Sequence, residues 1–136
     1  MDISNRMLQG VVMQKKVLGF LLGASFLAVH VPTVQAQEQW LVSLCEFTKA
    51  DDKNRIRKLL SDNKINLRKI YGSVQCNQDT LIKFAMRSDA YEVGAFFVKQ
   101  MPAKALKDED IENWAKANGL GESPLINDVR ARMGED

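Results

Sequence analysis

The chain is poor in the residues that most often carry chemistry or mark special folds. Its 136 residues hold one histidine, two cysteines and three prolines. Two cysteines cannot make a four-cysteine zinc site. Three prolines and eight glycines leave no low-complexity linker or collagen-like tract. The net charge is only +2, so nothing in the total points to a dedicated nucleic-acid binder. The longest apolar run, Val17 to Val31, is about 15 residues and falls short of the ~20 a spanning helix needs. No D-x-[DN]-x-[DN]-G calcium loop occurs, and Gly119 and Gly121 form an isolated G-x-G without a preceding strand pattern. At 46% hydrophobic and 26% charged, what remains is an ordinary folded chain of about one-domain length.

What is there begins with a leader. Arg6, Lys15 and Lys16 precede the apolar run, and Pro32, Thr33 and then Val34-Gln35-Ala36 follow it. A basic stretch, a short apolar core and small residues before a cut form the pattern of a secretory signal peptide, with cleavage expected between Ala36 and Gln37. A membrane anchor is the competing reading, and the run is too short for it. Met7 or Met13 as the true start would not alter this.

Cleavage changes the object. Arg6, Lys15, Lys16 and Asp2 leave with residues 1–36, so 16 basic and 16 acidic residues remain and the net charge falls to zero. His30, the one histidine, leaves too. Ser-His-Asp and Cys-His catalysis need an imidazole that takes a proton near neutral pH, and the mature chain has none. Zinc sites that use histidine fall with it. No cofactor or metal is expected.

Cys45 and Cys76 remain. An even count in a short exported chain reads as a disulfide, and two cysteines force the pairing. A redox-active pair would call for C-x-x-C spacing, which is absent. The expectation is a structural staple.

Helix signals dominate the mature chain, and no stretch alternates at period two. Trp40, Leu41, Leu44 and Phe47 mark a first amphipathic helix over 39–49. Asp51 and Asp52 are placed to cap a second, with Ile56, Leu59 and Leu60 on one face and Lys53, Arg55, Arg57 and Lys58 on the other. Asn63 stops it, and 64–78 reads as a long connection with a helical turn. Asp79 or Thr80 starts a third helix that buries Leu81, Ile82, Phe84 and Ala85. Ser88-Asp89 breaks it and caps a fourth, with Val93, Phe96 and Phe97 inward, ended by Pro102. Asp108 or Glu109 opens a fifth through Ile111, Trp114 and Ala117 to Gly119. Ser123-Pro124 starts a last helix that runs to Met133. The fold class expected is all-α. The domain division expected is 37–102 for a two-cysteine helical domain and 103–136 for a C-terminal helical extension.

A weak repeat runs through the first four helices. At a shift of 37 residues Leu44 meets Leu81, Phe47 meets Phe84, Ile56 meets Val93, Leu59 meets Phe96 and Leu60 meets Phe97. Two helical hairpins with matching apolar positions would produce it. Asp79-Thr80-Leu81-Ile82-Lys83-Phe84-Ala85, with Val93 and Phe97-Val98, resembles the ankyrin consensus in spacing. It departs from it in having no proline after the threonine and Lys83 at the usual histidine. Ankyrin arrays normally need three repeats, and at most two are visible. The resemblance therefore implies two ankyrin-like hairpins closed by a disulfide, plus C-terminal helices.

A second resemblance is broader. Leu44-Cys45-Glu46 through Leu60, then Leu67-Arg68-Lys69-Ile70-Tyr71, Val74-Gln75-Cys76-Asn77 and Thr80-Leu81-Ile82-Lys83-Phe84-Ala85, resemble a family of small exported gammaproteobacterial proteins carrying a domain of unknown function. The likeness covers roughly residues 40–100. It implies a two-cysteine exported domain and supplies no activity.

Four sets of residues are candidates for function. Arg55, Arg57, Lys58, Lys64, Arg68 and Lys69 cluster where Asp62 is the one acid between 53 and 69. Such a patch suits anionic lipid, polysaccharide or nucleic acid. Zero mature charge and the lack of interleaved aromatics favour a solvated helix face and count against nucleic acid. Residues 104–136 hold five basic and eight acidic residues, so the acidic tail is placed to neutralise that face. Glu46, Asp79 and Glu92 are the carboxylates a glycosidase pair would use, but nothing singles out two of them and hairpins leave little room for a deep cleft. Tyr71 and Trp114 are candidate anchors for a partner, with core packing the simpler account. Asn77 reads as a turn former.

The reading that results is a non-enzymatic, periplasmic or secreted interaction module with an envelope protein as partner. A polyanion- or membrane-surface-binding protein using 55–69 is the alternative, and a small carboxylate hydrolase is a third class. No transmembrane span is expected after cleavage.

Overall fold

The computed structural model describes the backbone of residues 32–134 and side chains from residue 39 onward. The leader expected over 1–36 thus lies almost wholly outside the described residues, and the Ala36–Gln37 junction falls in a helix whose side chains there are not described. Among the described residues the elements are helical: α1 (Pro32–Lys49), α2 (Lys53–Asp62), α3 (Leu67–Ile70), a 3-10 turn (Tyr71–Ser73), α4 (Leu81–Arg87), α5 (Tyr91–Gln100), α6 (Ala103–Glu109), α7 (Ile111–Ala117) and α8 (Leu125–Met133). Residues 38–136 form one compact unit.

Helix α5 is the hub of that unit, packed against α2, α4 and α8, while α8 also packs on α6 and α7. The expected apolar positions turn inward: Leu44, Ile56, Leu60, Leu81, Ile82, Ala85, Val93 and Phe97 are buried, and Phe96 is half-buried. Leu106, Ile111, Ala115, Leu125, Ile126 and Val129 join the same core. Residues 103–134 therefore complete the core of the two-cysteine segment. Gly94 makes this packing fit, because a Cβ there would lie 2.3 Å from Leu125 Cδ1.

Cys45 of α1 and Cys76 are joined, with an S–S distance of 2.01 Å and Cα atoms 5.7 Å apart. Cys76 opens a tight turn in which it exchanges backbone hydrogen bonds with Asp79 at 2.9 and 3.0 Å. Asn77 and Gln78, at φ 50° and 70°, make that turn, so Asn77 is the turn former expected.

The hairpin turns repeat in detail. Asp52 N–H donates to Phe47 O, and 38 residues on Ala90 N–H donates to Ala85 O. Asp51 and Asp89 both hold φ 54° in these turns. The backbone repeat is thus 38 residues, one more than the side-chain pattern at 37, because apolar helix neighbours blur the register by one. The Ile65–Leu60 and Leu120–Ala115 bonds close two more helix ends in the same way, with Lys64 and Gly119 left-handed. This is the Schellman ending, which needs a left-handed residue after the helix. The repeated turns do not make an ankyrin-like array: α2 is followed by α3 and the 3-10 turn, and α5 leads directly into α6.

Three local expectations are corrected. Asp89 does not cap α5; it accepts the Tyr91 hydroxyl at 2.9 Å, and the cap comes from Asp51, whose Oδ1 accepts Val93 N–H at 2.8 Å. Pro102 does not only end α5, for it begins α6, an element the sequence pattern misses. The helix through Trp114 starts at Ile111 rather than Asp108 or Glu109, because left-handed Asp110 separates it from α6.

Candidate functional site

The basic cluster read from the sequence is divided by α2. Ile56 and Leu60 anchor the helix, and residues on its two flanks go to different places. On one flank Arg55 lies over the Phe47 ring at 5.4 Å and pairs with Asp52 at 3.2 Å, while Lys58 pairs with Asp62 at 2.7 Å. On the other flank Lys53 and Arg57, one helical turn apart, face α5. There they meet Tyr91, Ala95, Phe96 and Lys99, which are spaced to share the outer face of α5 while Val93, Gly94, Phe97 and Val98 point inward.

The result is a groove. Its first part, about 620 Å³, lies between Lys53 and Arg57 on one wall and Tyr91, Phe96 and Lys99 on the other. Its second part, about 500 Å³, takes in Lys64, Ile65 and Arg68. Phe96 and Gln100 line both parts, so the two are contiguous. The side chain of Arg68 is held by a hydrogen bond from Nε to the Gln100 carbonyl at 2.6 Å, at the C-terminal end of α5 where a cation is favoured. Glu92 is the one acid lining the groove; it pairs with Lys53 at 3.8 Å, both side chains being exposed. Such an exposed pair is worth well under ~1 kcal/mol. Arg57, Lys64 and Lys99 have no carboxylate partner among the described residues.

Of the six predicted basic residues the structure therefore brings Arg57, Lys64 and Arg68 together and adds Lys53 and Lys99. Arg55 and Lys58 go to the opposite flank. Lys69 is exposed and does not line the groove. The aromatics that the sequence stretch lacks are supplied by Tyr91 and Phe96 from a different helix. Tyr91 is 39% exposed, and its hydroxyl is held on Asp89, whose hydrogen bond pushes the phenol pKa up. Tyr91, Phe96 and Lys99 on α5 at helical spacing were the available signal, and which helix they face is not written in that spacing.

The other candidates are built into the frame. Tyr71 is buried and donates to Glu109 Oε2 at 2.8 Å, and Thr80 Oγ1 donates to Oε1 of the same carboxylate. Burial, with Glu109 beside it, drives the Tyr71 phenol well above its usual range, so it stays a neutral donor. Tyr71 thus ties the 3-10 turn to the end of α6 and is no surface anchor. Trp114 is half-buried and carries two cations of α4 over its ring, Lys83 Nζ at 5.3 Å and Arg87 Cζ at 5.0 Å from the centroid. Arg87 also pairs with Asp79 at 2.5 Å. Asp79 and Glu92 line separate depressions, and Glu46 is exposed on α1, so the three carboxylates are not assembled. Among the described residues no group of three or more His, Cys, Asp or Glu could hold a metal ion, and no helix is long and apolar enough to cross a membrane.

Residues 44–108 match the family model described as a protein of unknown function, DUF3718. That stretch, just under half of the chain, is similar to this family. The DUF3718 segment begins at Leu44, takes in both cysteines and the whole groove, and ends within α6, so α7 and α8 lie beyond it. No curated protein and no solved structure matches the chain.

Proposed function

We propose that this protein is exported, and that its mature part is a small, disulfide-stapled, non-enzymatic interaction module. One observation carries the binding part of the reading. Several half-buried carboxylates join one element to another, as with Asp51 on α5, Glu109 on Tyr71 and Thr80, and Asp79 on Arg87. The groove cations Arg57, Lys64 and Lys99 have no such task, and they line an open surface between helices. Unpaired charge around half-exposed aromatics suits a partner better than it suits the fold.

Export is supported by the leader pattern over 1–36 and by the Cys45–Cys76 disulfide, which persists in oxidising compartments. An envelope partner follows from that placement. Mass spectrometry of unreduced protein recovered by osmotic shock tests it: the expected mass starts at Gln37 and lacks two hydrogens. A full-length mass in the cytoplasmic fraction, or two free thiols, would overturn the export reading. Steady turnover of an envelope glycan by the purified protein would overturn the non-enzymatic part.

A further inference from the structure

We propose that the groove between α2 and α5 binds an acidic segment of a partner polypeptide that also carries apolar side chains. The inference rests on the interaction-module reading and names the chemistry of its partner. The charge argument comes first. Lys53 and Arg57 of α2, Lys64 and Arg68 around α3, and Lys99 of α5 surround the groove against a single lining acid, Glu92. Cations from three elements converge here although the mature chain is neutral, so the asymmetry belongs to this surface. An anionic ligand is drawn to it and steered by it.

The floor decides what kind of anion. Tyr91, Ala95, Phe96 and Ile65 lie in the concavity, and Tyr91 is one of two large hydrophobic residues that the described chain leaves exposed. A polysaccharide polyanion offers no apolar side chains for such a floor. A lipid surface is reached by several apolar residues that protrude from a basic face, whereas here Tyr91 alone is exposed and Ile65, Ala95 and Phe96 are half-buried. Nucleic acid would stack bases on the same rings, and an exported protein seldom meets it. Glutamate or aspartate interspersed with leucine or an aromatic satisfies both rim and floor: carboxylates pair with Arg57, Lys64 and Lys99, and the apolar side chain enters beside Phe96. Arg57 and Arg68 supply planar, multi-donor guanidiniums suited to carboxylates.

The test uses the exported, disulfide-intact protein and a short fluorescent peptide alternating glutamate with leucine and phenylalanine. Saturable binding that weakens with salt is expected, with amide shift changes in nuclear magnetic resonance confined to α2, α3 and α5. Arg57→Glu with Lys99→Glu should weaken it by about tenfold or more, and Tyr91→Ser by a smaller factor. Lys104→Glu, on α6 and outside the groove, should leave it unchanged. Arg57→Gln with Lys99→Gln repeats the measurement without reversing charge, should the first pair fail to fold. Replacing the peptide's apolar residues by serine should abolish binding, as should replacing glutamate by glutamine. No saturable binding, binding indifferent to the Arg57 and Lys99 variants, or equal binding of the serine peptide overturns the proposal. So does preferential binding of phosphatidylglycerol vesicles or of a single-stranded oligonucleotide. A partner crosslinked in the envelope at another face would sink this inference and leave the module reading standing. A protein that is never exported would sink that reading while peptide binding stood.

Discussion

Asp51 does two jobs that no neighbour in sequence reveals. It takes the left-handed conformation, φ 54°, that closes α1, and its carboxylate accepts the Val93 and Glu92 amides at the start of α5, at 2.8 and 3.4 Å. Two otherwise unpaired helix amides are satisfied by a residue about forty positions away. Asp51→Ala removes the acceptor and strains the turn, so urea unfolding should show a loss of about 1–2 kcal/mol, whereas Asp51→Asn, which keeps an acceptor and tolerates the left-handed turn, should lose little. Lys64 holds φ 53° without a comparable reward. Lys64→Gly should raise the urea midpoint by the equivalent of about 0.5–1 kcal/mol, while weakening any anion held in the groove. Glu112 contributes to the acid response. Hydrogen bonds from Arg130, and then from Lys116, hold its carboxyl at about 2. A carboxyl with a depressed folded pKa contributes stability above its unfolded value, and that contribution is lost as pH falls through the folded one. Stability should therefore decline from about pH 4.5 toward pH 2, and Glu112→Gln should flatten that arm in acid titrations followed by circular dichroism.

Helices were legible where their apolar positions recur and obscure where they do not. α2, α4 and α5 place Ile56 and Leu60, Leu81, Phe84 and Ala85, and Val93 and Phe97 at three- and four-residue spacing, and these are buried in the structure. α6 buries only Leu106, so Ala103–Glu109 has no period to read, and Pro102 looked like a stop. A proline can stand before a helix as well as after one, and its place is decided by what the next turn packs on. Here that is α8. The pairing of α5 with α8 depends on Gly94. Gly94→Ala gains helix propensity of about 1 kcal/mol. The added methyl nonetheless meets three atoms of Leu125, which is fully buried. Net destabilisation of about 1–2 kcal/mol is expected by thermal unfolding, and Gly94→Ala with Leu125→Val should recover part of it.

At the scale of the molecule, the disulfide and the C-terminal helices do separate work. Cys45–Cys76 closes a loop across 31 positions, and removing it by paired Cys→Ser should cost about 3–4 kcal/mol in equilibrium unfolding on the chain-entropy account. α6, α7 and α8 supply Leu106, Ile111, Ala115, Leu125, Ile126 and Val129 to the common core. A fragment ending at Pro102 would expose the faces of α4 and α5 that these cover, and it should show no cooperative unfolding transition. The C-terminal helical extension expected over 103–136 is thus structurally part of the unit, although the DUF3718 match ends within α6.

The sequence by itself determined the helical class, the pairing of the only two cysteines, most helix starts and stops, and the place of the one histidine, His30, inside the stretch expected to be a leader. These follow from local periodicity, capping chemistry and arithmetic, which need no knowledge of neighbours in space. Only the tertiary structure decided that Asp51 caps α5, that α6 to α8 share the core, and that the basic cluster splits, sending Arg57, Lys64 and Arg68 to meet Lys99, Tyr91 and Phe96. Each of those depends on which helix face turns toward which neighbour. That choice is made by packing across the core, such as Leu125 against Gly94, and helical spacing alone leaves it open.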